Sequence, residues 1–405
     1  MDFALPGPVL EALRRLNAQG HAAYAVGGCV RDLLRGVPPH DYDICVSCPP
    51  EETHACFAGE RVIDTGIKHG TVTVLLGGMG LEITTFRADG DYTDGRHPSS
   101  VRFTPSLEED LKRRDFTVNA MAYHPDSGVT DLFWGQRDLA AGILRCVGDA
   151  AVRLTEDALR ILRALRFSAQ LNFEIEKETG SAMRRLCGRL SLVSRERIAE
   201  ELLRMVRYPA AARALASYPE VFLAAMPGFP ADALCAGTKP LAKLPGGDAV
   251  LGLAALLYSC NESQRQHCLA SLKLSKALEG QASQLAGLAS APFCLVDTPV
   301  YLAQMGREQM QRLLMLQQAC GVLTAGEAAQ RLSRMEKALA DGLPLRLRDL
   351  PISGDDLKAL GESGPAIGQT LNRLHRLVLR GELPCDRETL LRSVKNQMVL
   401  LPKTQ

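Results

Sequence analysis

The chain of 405 residues carries 47 basic and 46 acidic side chains, for a formal charge of +1, and 46% of it is apolar. This balance excludes wholesale disorder, a collagen-like chain and a uniformly basic nucleic-acid coat, and the length implies two to four globular units at roughly 100 to 200 residues each. The longest apolar run, Val250 to Tyr258, is far short of the roughly 20 residues that a membrane-spanning helix needs. The N-terminal segment has neither the basic region nor the apolar core of a secretion signal, so a cytoplasmic protein without membrane partners is expected.

From the N-terminus, Leu10 to Leu16 has the apolar period of a helix, Ala23 to Val26 reads as a strand, and Cys29 to Leu34 as a short amphipathic helix closed by Gly36. Further β-type runs are Tyr42 to Val46, Thr71 to Leu76 and Leu81 to Phe86, which makes the first 150 residues a mixed α/β domain. From about Asp149 strand signals fade. EDALRILRALRFSAQ and VSRERIAEELLRMVRY predict a helical remainder, interrupted by the Pro/Gly-rich stretch Pro227 to Gly247 and again around Pro292 and Pro299. Overall neutrality hides local bias: Arg145 to Arg207 holds 13 basic against 9 acidic residues, and Asn372 to Lys395 holds 6 against 3. Such patches suit RNA phosphates or are simply solvated helix faces.

The twelve cysteines are scattered, and a large core can house them as small hydrophobes. Cys45-x-x-Cys48, with His54 and Cys56 behind it, is the one constellation resembling a metal site; lacking a second C-x-x-C at zinc spacing, it reads as ordinary thiols.

Val26-Gly-Gly-Cys-Val-Arg-Asp32, followed by Asp41-Tyr42-Asp43, is the strongest chemical signal. In a strand, residues i and i+2 face the same way, so Asp41 and Asp43 present paired carboxylates whose hard oxygens suit Mg²⁺. Gly28 at a helix start lets the backbone approach a phosphate, with Arg31 adding charge. An isolated D-x-D would read as a solvated acidic loop; the upstream GGxxRD makes a triphosphate and metal site the better reading. Glu82 shares a strand face with Thr84 and is either a third carboxylate for a two-metal mechanism or a surface residue. In Arg113-Arg-Asp-Phe-Thr-Val-Asn-Ala120, Arg114 and Asp115 suit phosphate and ribose, or form a helix-end ion pair.

In Glu156-Asp-x-x-Arg-x-x-Arg-x-x-Arg166, residues three apart on a helix are neighbours, which sets Asp157 beside Arg160 with Arg163 and Arg166 continuing the row. One carboxylate and one guanidinium match the amino donor and ring-nitrogen acceptor shared by cytosine and adenine, and clash with guanine and uracil. Standing alone, the motif would read as an intrahelical salt bridge.

These clusters, in this order and spacing, resemble the class II tRNA nucleotidyltransferases, the CCA-adding enzymes related to bacterial poly(A) polymerases. The resemblance also includes Thr65-Gly-Ile-Lys-His-Gly-Thr-Val-Thr-Val74 and Ser194-Arg-Glu-Arg-Ile-Ala-Glu-Glu-Leu202, and in the tail Ile352-Ser-Gly-Asp-Asp-Leu357, Gly364-Pro-Ala-Ile-Gly368 and Gly381-Glu-Leu383. It spans nearly the whole chain, weakly between about Ala210 and Arg346. It implies an α+β chain: a polymerase-β-like head with a mixed sheet over residues 1–147, then a helical neck at 148–210, a body at 211–325 and a tail at 326–405. It further implies Mg²⁺ on Asp41 and Asp43, triphosphate held by Gly28 and Arg31, phosphate and ribose met by Arg114 and Asp115, and the base read by Asp157 and Arg160 with support from Arg163 and Arg166. The implied reaction is attack of the tRNA 3′-hydroxyl on the α-phosphate of CTP or ATP, with release of pyrophosphate. Arg373, Arg376, Arg380 and Lys395 are candidate tRNA phosphate contacts or ordinary surface charge, and a homodimer stays open.

Within the family, Gly66-Ile-Lys-His-Gly-Thr71 replaces the arginine-rich G-R-R-F-R of bacterial poly(A) polymerases, and Arg87 to Pro105 resembles the loop that A-adding members tend to lack. Addition of both C and A is therefore expected over CC-adding, A-adding or poly(A) activity. A tRNA-binding protein without catalysis is the alternative outside the class, and intact Asp41 and Asp43 argue against it. Three departures stand out. Trp134 occupies the place of the first of two family glycines, Pro38 and Pro39 stiffen the loop before Asp41, and no His-Asp pair of a phosphohydrolase domain occurs in the C-terminal half.

Overall fold

The structure is a computed structural model in which residues 3–89 and 101–400 are described. The backbone forms two compact units, one reaching Ala231 and including Ala270–Leu274, the other comprising Asp232–Leu269 and the chain from Ser275 onward.

The first unit opens with α1 (Gly7–Ala18), which carries Pro8 in its first turn, where the missing N–H costs nothing, and buries Val9, Ala12, Leu13 and Leu16. Next come β1 (Ala23–Val26), α2 (Gly28–Leu34), β2 (Asp43–Val46), α3 (Pro50–Cys56), β3 (Arg61–Gly66), β4 (Thr71–Leu76) and β5 (Met79–Thr85). A separate antiparallel pair, β6 (Arg87–Asp89) and β7 (Val101–Phe103), flanks residues 90–100. Those residues, within the loop expected from Arg87 to Pro105, lie outside the described residues. Then follow α4 (Leu107–Lys112), β8 (Met121–His124), β9 (Gly128–Asp131) and α5 (Gly135–Ala141).

Seven strands form one sheet in the order β3-β4-β5-β2-β1-β8-β9. The sheet is mixed because β2 and β5 run parallel while the other neighbours are antiparallel. One face packs Ile44, Val46, Val72, Val74, Leu81 and Ile83 against Leu13 and Leu16 of α1. The other packs Val26, Cys45, Phe86 and Ala122 against Leu111 of α4. Strand alternation puts Asp43, next but one to Cys45, on this second face. The four strands expected from sequence are present as β1, β2, β4 and β5. Strands β3 and β9 escape the pattern because, at the two edges of the sheet, neither buries a residue fully.

Beyond the head lie α6 (Ala150–Glu156), α7 (Leu159–Leu171), α8 (Lys177–Leu186) and α9 (Arg195–Met205). The expectation of an all-helical remainder needs one correction: β10 (Ile143–Leu144) pairs in parallel with β11 (Glu174–Ile175), and two-residue strands are too short to show a period. Helix α7 buries 11 of its 13 residues, Arg160 and Arg166 among them.

In the second unit the apolar run is a buried helix, Ala249–Leu257, as expected. The stretch expected to interrupt the helices from Pro227 to Gly247 instead contains a helix, Ala231–Leu241; Pro240 sits at its C-terminal end, where it closes the helix rather than preventing it. Pro299 likewise starts the helical segment Thr298–Ala319, which Gly306, at φ 79°, kinks into two. The last helices, Pro365–Arg380 and Arg387–Leu400, share a core of Leu350, Ile352, Leu357, Leu374, Val378, Leu390 and Val394.

Candidate active site

Tyr42 is buried between exposed Asp41 and Asp43, which is the alternation expected of a strand entering the sheet. The β2–β5 register sets Asp43 directly opposite Glu82, which is also exposed, so the third carboxylate joins the pair. Surrounding protein desolvates Asp43, and the charges of Glu82 and Asp41 add to this while Arg114 opposes it, raising the Asp43 carboxyl to about 6. His40 Nδ1 lies 2.9 Å from Asp41 Oδ1. A divalent cation would relieve this crowding of negative charge. The three carboxylates share a face without forming a closed cage: among the described residues, three ligand atoms within 4.8 Å of one another occur only elsewhere, at His21, Cys48 and Glu52. An open set of carboxylates fits Mg²⁺, which usually takes one or two carboxylates and completes its shell with water and substrate phosphates.

The turn from β1 to α2 passes through Gly27, whose φ of +80° favours glycine, and a Cβ there would stand 3.1 Å from Arg114 Nη1. Gly28 starts α2. Arg31 is turned inward at 4% exposure, with Nε and Nη2 each 2.9 Å from the Asp32 carboxylate and Nη1 2.7 Å from Asn119 Oδ1. In this arrangement it places positive charge beneath the glycine turn and ties α2 to the turn Thr117–Asn119, rather than reaching out to a ligand. Arg114 donates to buried Asp110 at 3.0 Å, and Arg113 donates to the same carboxylate.

Asp115, expected at the ribose, is the centre of a buried network. It accepts two bonds from Arg163 at 2.9 and 2.6 Å, one from Asn119 Nδ2 and one from the Phe116 N–H. Burial acts to raise its carboxyl, but Arg163, Arg160 and Asn119 together outweigh burial and bring it down to about 2. Arg31, Arg163 and Arg166 all stand near the Phe167 ring, at 5.5, 5.3 and 3.8 Å from its centroid, so cation–π contacts join α2 to α7.

The expected side-by-side pairing of Asp157 with Arg160 is not what the structure shows. Asp157 is extended (φ −132°, ψ 105°) at the break between α6 and α7, so helical neighbour geometry does not apply to it. Its carboxylate accepts from the Leu159 N–H and from Arg197 Nη2, both at 3.0 Å. Arg160 pairs instead with Glu156 at 2.6 Å and donates to the carbonyls of Arg153 and Arg113. Arg166, also buried, meets Glu201 at 2.5 Å and Gln170 at 2.9 Å. The four side chains are thus held by other residues rather than by one another, with Glu201 serving Arg166 and lying 3.7 Å from Arg163 as well.

Sequence reasoning overlooked Asp110, Arg197 and Glu201. Asp110 was legible, since it precedes Arg113 and Arg114 by three and four residues on a helical segment. Arg197 and Glu201 lie one turn apart on α9 and meet Asp157, at the break between α6 and α7, and Arg166 on α7, which no local spacing signals. In the second unit, Arg373, Arg376 and Arg380 lie on the helix Pro365–Arg380 and Lys395 on the next. Arg376 and Lys395 are exposed, Arg373 is half-buried, and Arg380 is held by Asp297 at 2.6 Å.

Three family models match the chain: a poly(A) polymerase head domain over residues 23–145, an RNA- and SrmB-binding region of polymerase A over 172–220, and a tRNA nucleotidyltransferase domain 2 over 249–394. The CCA-adding enzyme of Limosilactobacillus fermentum is 36% identical over 393 residues, covering 95% of this chain and 96% of its own. That of Enterococcus faecalis is 36% identical over 410 residues, covering 98% and 96%. Among solved structures, the Bacillus stearothermophilus CCA-adding enzyme in complex with CTP superposes with a TM-score of 0.83 at 31% identity, over 98% of this chain and 99% of that one. The head with its carboxylate face, the helical remainder and these full-length likenesses lead to one assignment: the chain belongs to the CCA-adding enzyme family of nucleotidyltransferases.

Proposed function

We propose that this chain completes the 3′ end of tRNA, adding C, C and A from CTP and ATP without a nucleic-acid template and releasing pyrophosphate. The observation that carries the reading is the pairing of Asp43 with Glu82 across parallel strands, with Asp41 on the same face, in a chain that matches CCA-adding enzymes over nearly its full length. Nucleotidyltransferases of this kind normally use a divalent metal; here Mg²⁺ is the ion that the open carboxylate set suits, held by Asp41 and Asp43 with Glu82 beside them. When bound, it neutralises charge on the phosphates and favours the ionised 3′-hydroxyl.

The chain's own residues supply position and selection. Gly27 and Gly28 leave room for phosphate above the charge of Arg31 and Arg114, and this is where the triphosphate belongs. The Asp115–Arg163 pair and the Arg166–Glu201 pair hold α7 rigid beside the break that carries Asp157, and an incoming base would take Asp157 and Arg160 over from Arg197 and Glu156. A carboxylate only accepts and a guanidinium only donates, which favours the edges of cytosine and adenine. The new bond joins the 3′-oxygen to the α-phosphorus; the bond from that phosphorus to the β-phosphate oxygen breaks, and the hydroxyl proton passes to solvent. On this reading residues 1–147 are the catalytic head, 148–210 a neck carrying base recognition, 211–325 a body and 326–405 a tRNA-binding tail, acting in the cytoplasm.

The test incubates the purified chain and Mg²⁺ with tRNAs ending before CCA or after CC, offering each nucleotide alone and CTP with ATP, and resolves the products on a sequencing gel. Addition of three nucleotides and then arrest, only with CTP plus ATP, is the expected result. A stop after CC, a lone A on the CC-ended tRNA, or a long A ladder would replace the reading with the corresponding partial or poly(A) activity. Asp43→Ala should abolish transfer while tRNA binding, measured by filter retention, stays within about twofold.

A further inference from the structure

The constellation read from sequence as Cys45-x-x-Cys48 with His54 comes apart in the fold, and another assembles at the far end of β2 from Asp43. Alternation along the strand sends Cys45 to one face of the sheet, with Val26 and Phe86, and Cys48 to the core on the other. His54 pairs with Asp64 at 2.8 Å. In their place, the antiparallel register of β1 and β2, Ala23 opposite Val46, continues through the Ser47 N–H to Ala22 carbonyl bond and brings His21 opposite Cys48. Helix α3 then turns back and adds Glu52 from its first turn.

We propose that His21, Cys48 and Glu52 form a binding site for a borderline-soft divalent cation, Zn²⁺ above all, which clamps α3 to the ends of β1 and β2. Their ligand atoms all lie within 4.8 Å of one another, the one such trio among the described residues. His21 Nε2 stands 3.6 Å from Glu52 Oε2, longer than a hydrogen bond. It is close to the edge of about 3.4 Å expected between two ligands at about 2.0–2.1 Å from a tetrahedral zinc. The donor set of one thiolate, one imidazole and one carboxylate selects zinc over Mg²⁺, whose preference is for oxygen alone. The surroundings match what a metal thiolate needs. Cys48 is 2% exposed, Thr53 Oγ1 lies 3.4 Å from its sulfur, where the hydroxyl would turn from the Pro49 carbonyl at 3.3 Å to donate to a thiolate, and Thr85 holds the Cys48 carbonyl at 2.8 Å. Binding would release the thiol proton to solvent. The fourth position would be completed by water.

The test uses the full chain, dialysed against a chelator and then against buffer with millimolar Mg²⁺ to fill the catalytic carboxylates. Zn²⁺ is titrated against a colorimetric competitor, and Co²⁺ uptake is followed by absorption. The expected result is one Zn²⁺ per chain and a thiolate-to-cobalt charge-transfer band. Cys48→Ser should abolish the band and weaken Zn²⁺ at least a hundredfold; His21→Gln and Glu52→Gln should weaken it at least tenfold. Glu52 is exposed, so Glu52→Gln keeps the proposal open to refutation even if Cys48→Ser fails to fold. Asp43→Ala should bind Zn²⁺ like the parent. No uptake above that of Cys48→Ser, a band that persists in that variant, or equal affinity in parent and Glu52→Gln would overturn the proposal.

Discussion

Glu201→Ala tests the claim that buried charge pairs hold α7 in place. Arg166 and Glu201 have side chains only 7% and 6% exposed, and their contact at 2.5 Å spans α7 and α9. Burial already acts to lower the Arg166 guanidinium below its ordinary value, and Glu201 is the neighbour that most opposes this. Removing one partner of such a pair typically costs about 3–5 kcal/mol, because the other charge stays in a poorly solvated site. Gln170 and the Phe167 ring remain beside Arg166, which places the loss at the lower end, about 3 kcal/mol. In a urea melt with a slope of about 3 kcal/mol/M this shifts the midpoint down by about 1 M. The double variant Glu201→Leu/Arg166→Met should recover most of the loss, since two apolar side chains of similar volume replace a pair whose desolvation largely offsets its attraction. A loss below about 1 kcal/mol in Glu201→Ala, or a double variant no more stable than the single, would refute the reasoning.

Asp157→Ala should raise incorporation of UTP and GTP relative to CTP and ATP, and Arg197→Ala should do the same more weakly because it acts by orienting Asp157; unchanged selectivity in competition assays would remove Asp157 from the reading role. Asp115 contributes stability that depends on pH. Its carboxyl is near 2 when folded against about 4 when unfolded, so its contribution of about 3 kcal/mol is present above pH 4 and is lost as pH falls through 2. Asp115→Asn should therefore be less stable at neutral pH and lose less on acidification, and parallel acid-unfolding curves would contradict this. Trp134, 69% exposed, starts α5 in the left-handed region at φ 64°. Trp134→Gly should relieve about 1–2 kcal/mol of backbone strain against about 0.5–1 kcal/mol of added chain freedom, a small net gain measurable by circular-dichroism melting, and a lowered midpoint would contradict it. Gly135→Ala, by contrast, would set a Cβ 2.4 Å from the Thr117 carbonyl oxygen and should destabilise severely.

What was legible in the sequence depended on local order. The i, i+2 alternation of Asp41 and Asp43, the apolar period of α1 and α7, the glycine turn into α2 and the motif order that identifies the family all act over a few residues, where backbone geometry alone relates one side chain to the next. Glu82 was legible only as a strand residue with two readings; its place opposite Asp43, 39 positions away, depends on β2 and β5 running parallel. Asp157 looked like a helical neighbour of Arg160 because spacing assumes an unbroken helix, and one extended residue at the break between α6 and α7 sent the two to Arg197 and Glu156. Cys45 and Cys48 are three positions apart in sequence yet part across the sheet, while His21 reaches Cys48 through the β1–β2 register. The sequence by itself determined the family, the carboxylate pair and the set of charged residues around the start of α7. Only the tertiary structure decided which charges meet, because a buried ion takes the partner that packing brings within reach rather than the one that stands nearest along the chain.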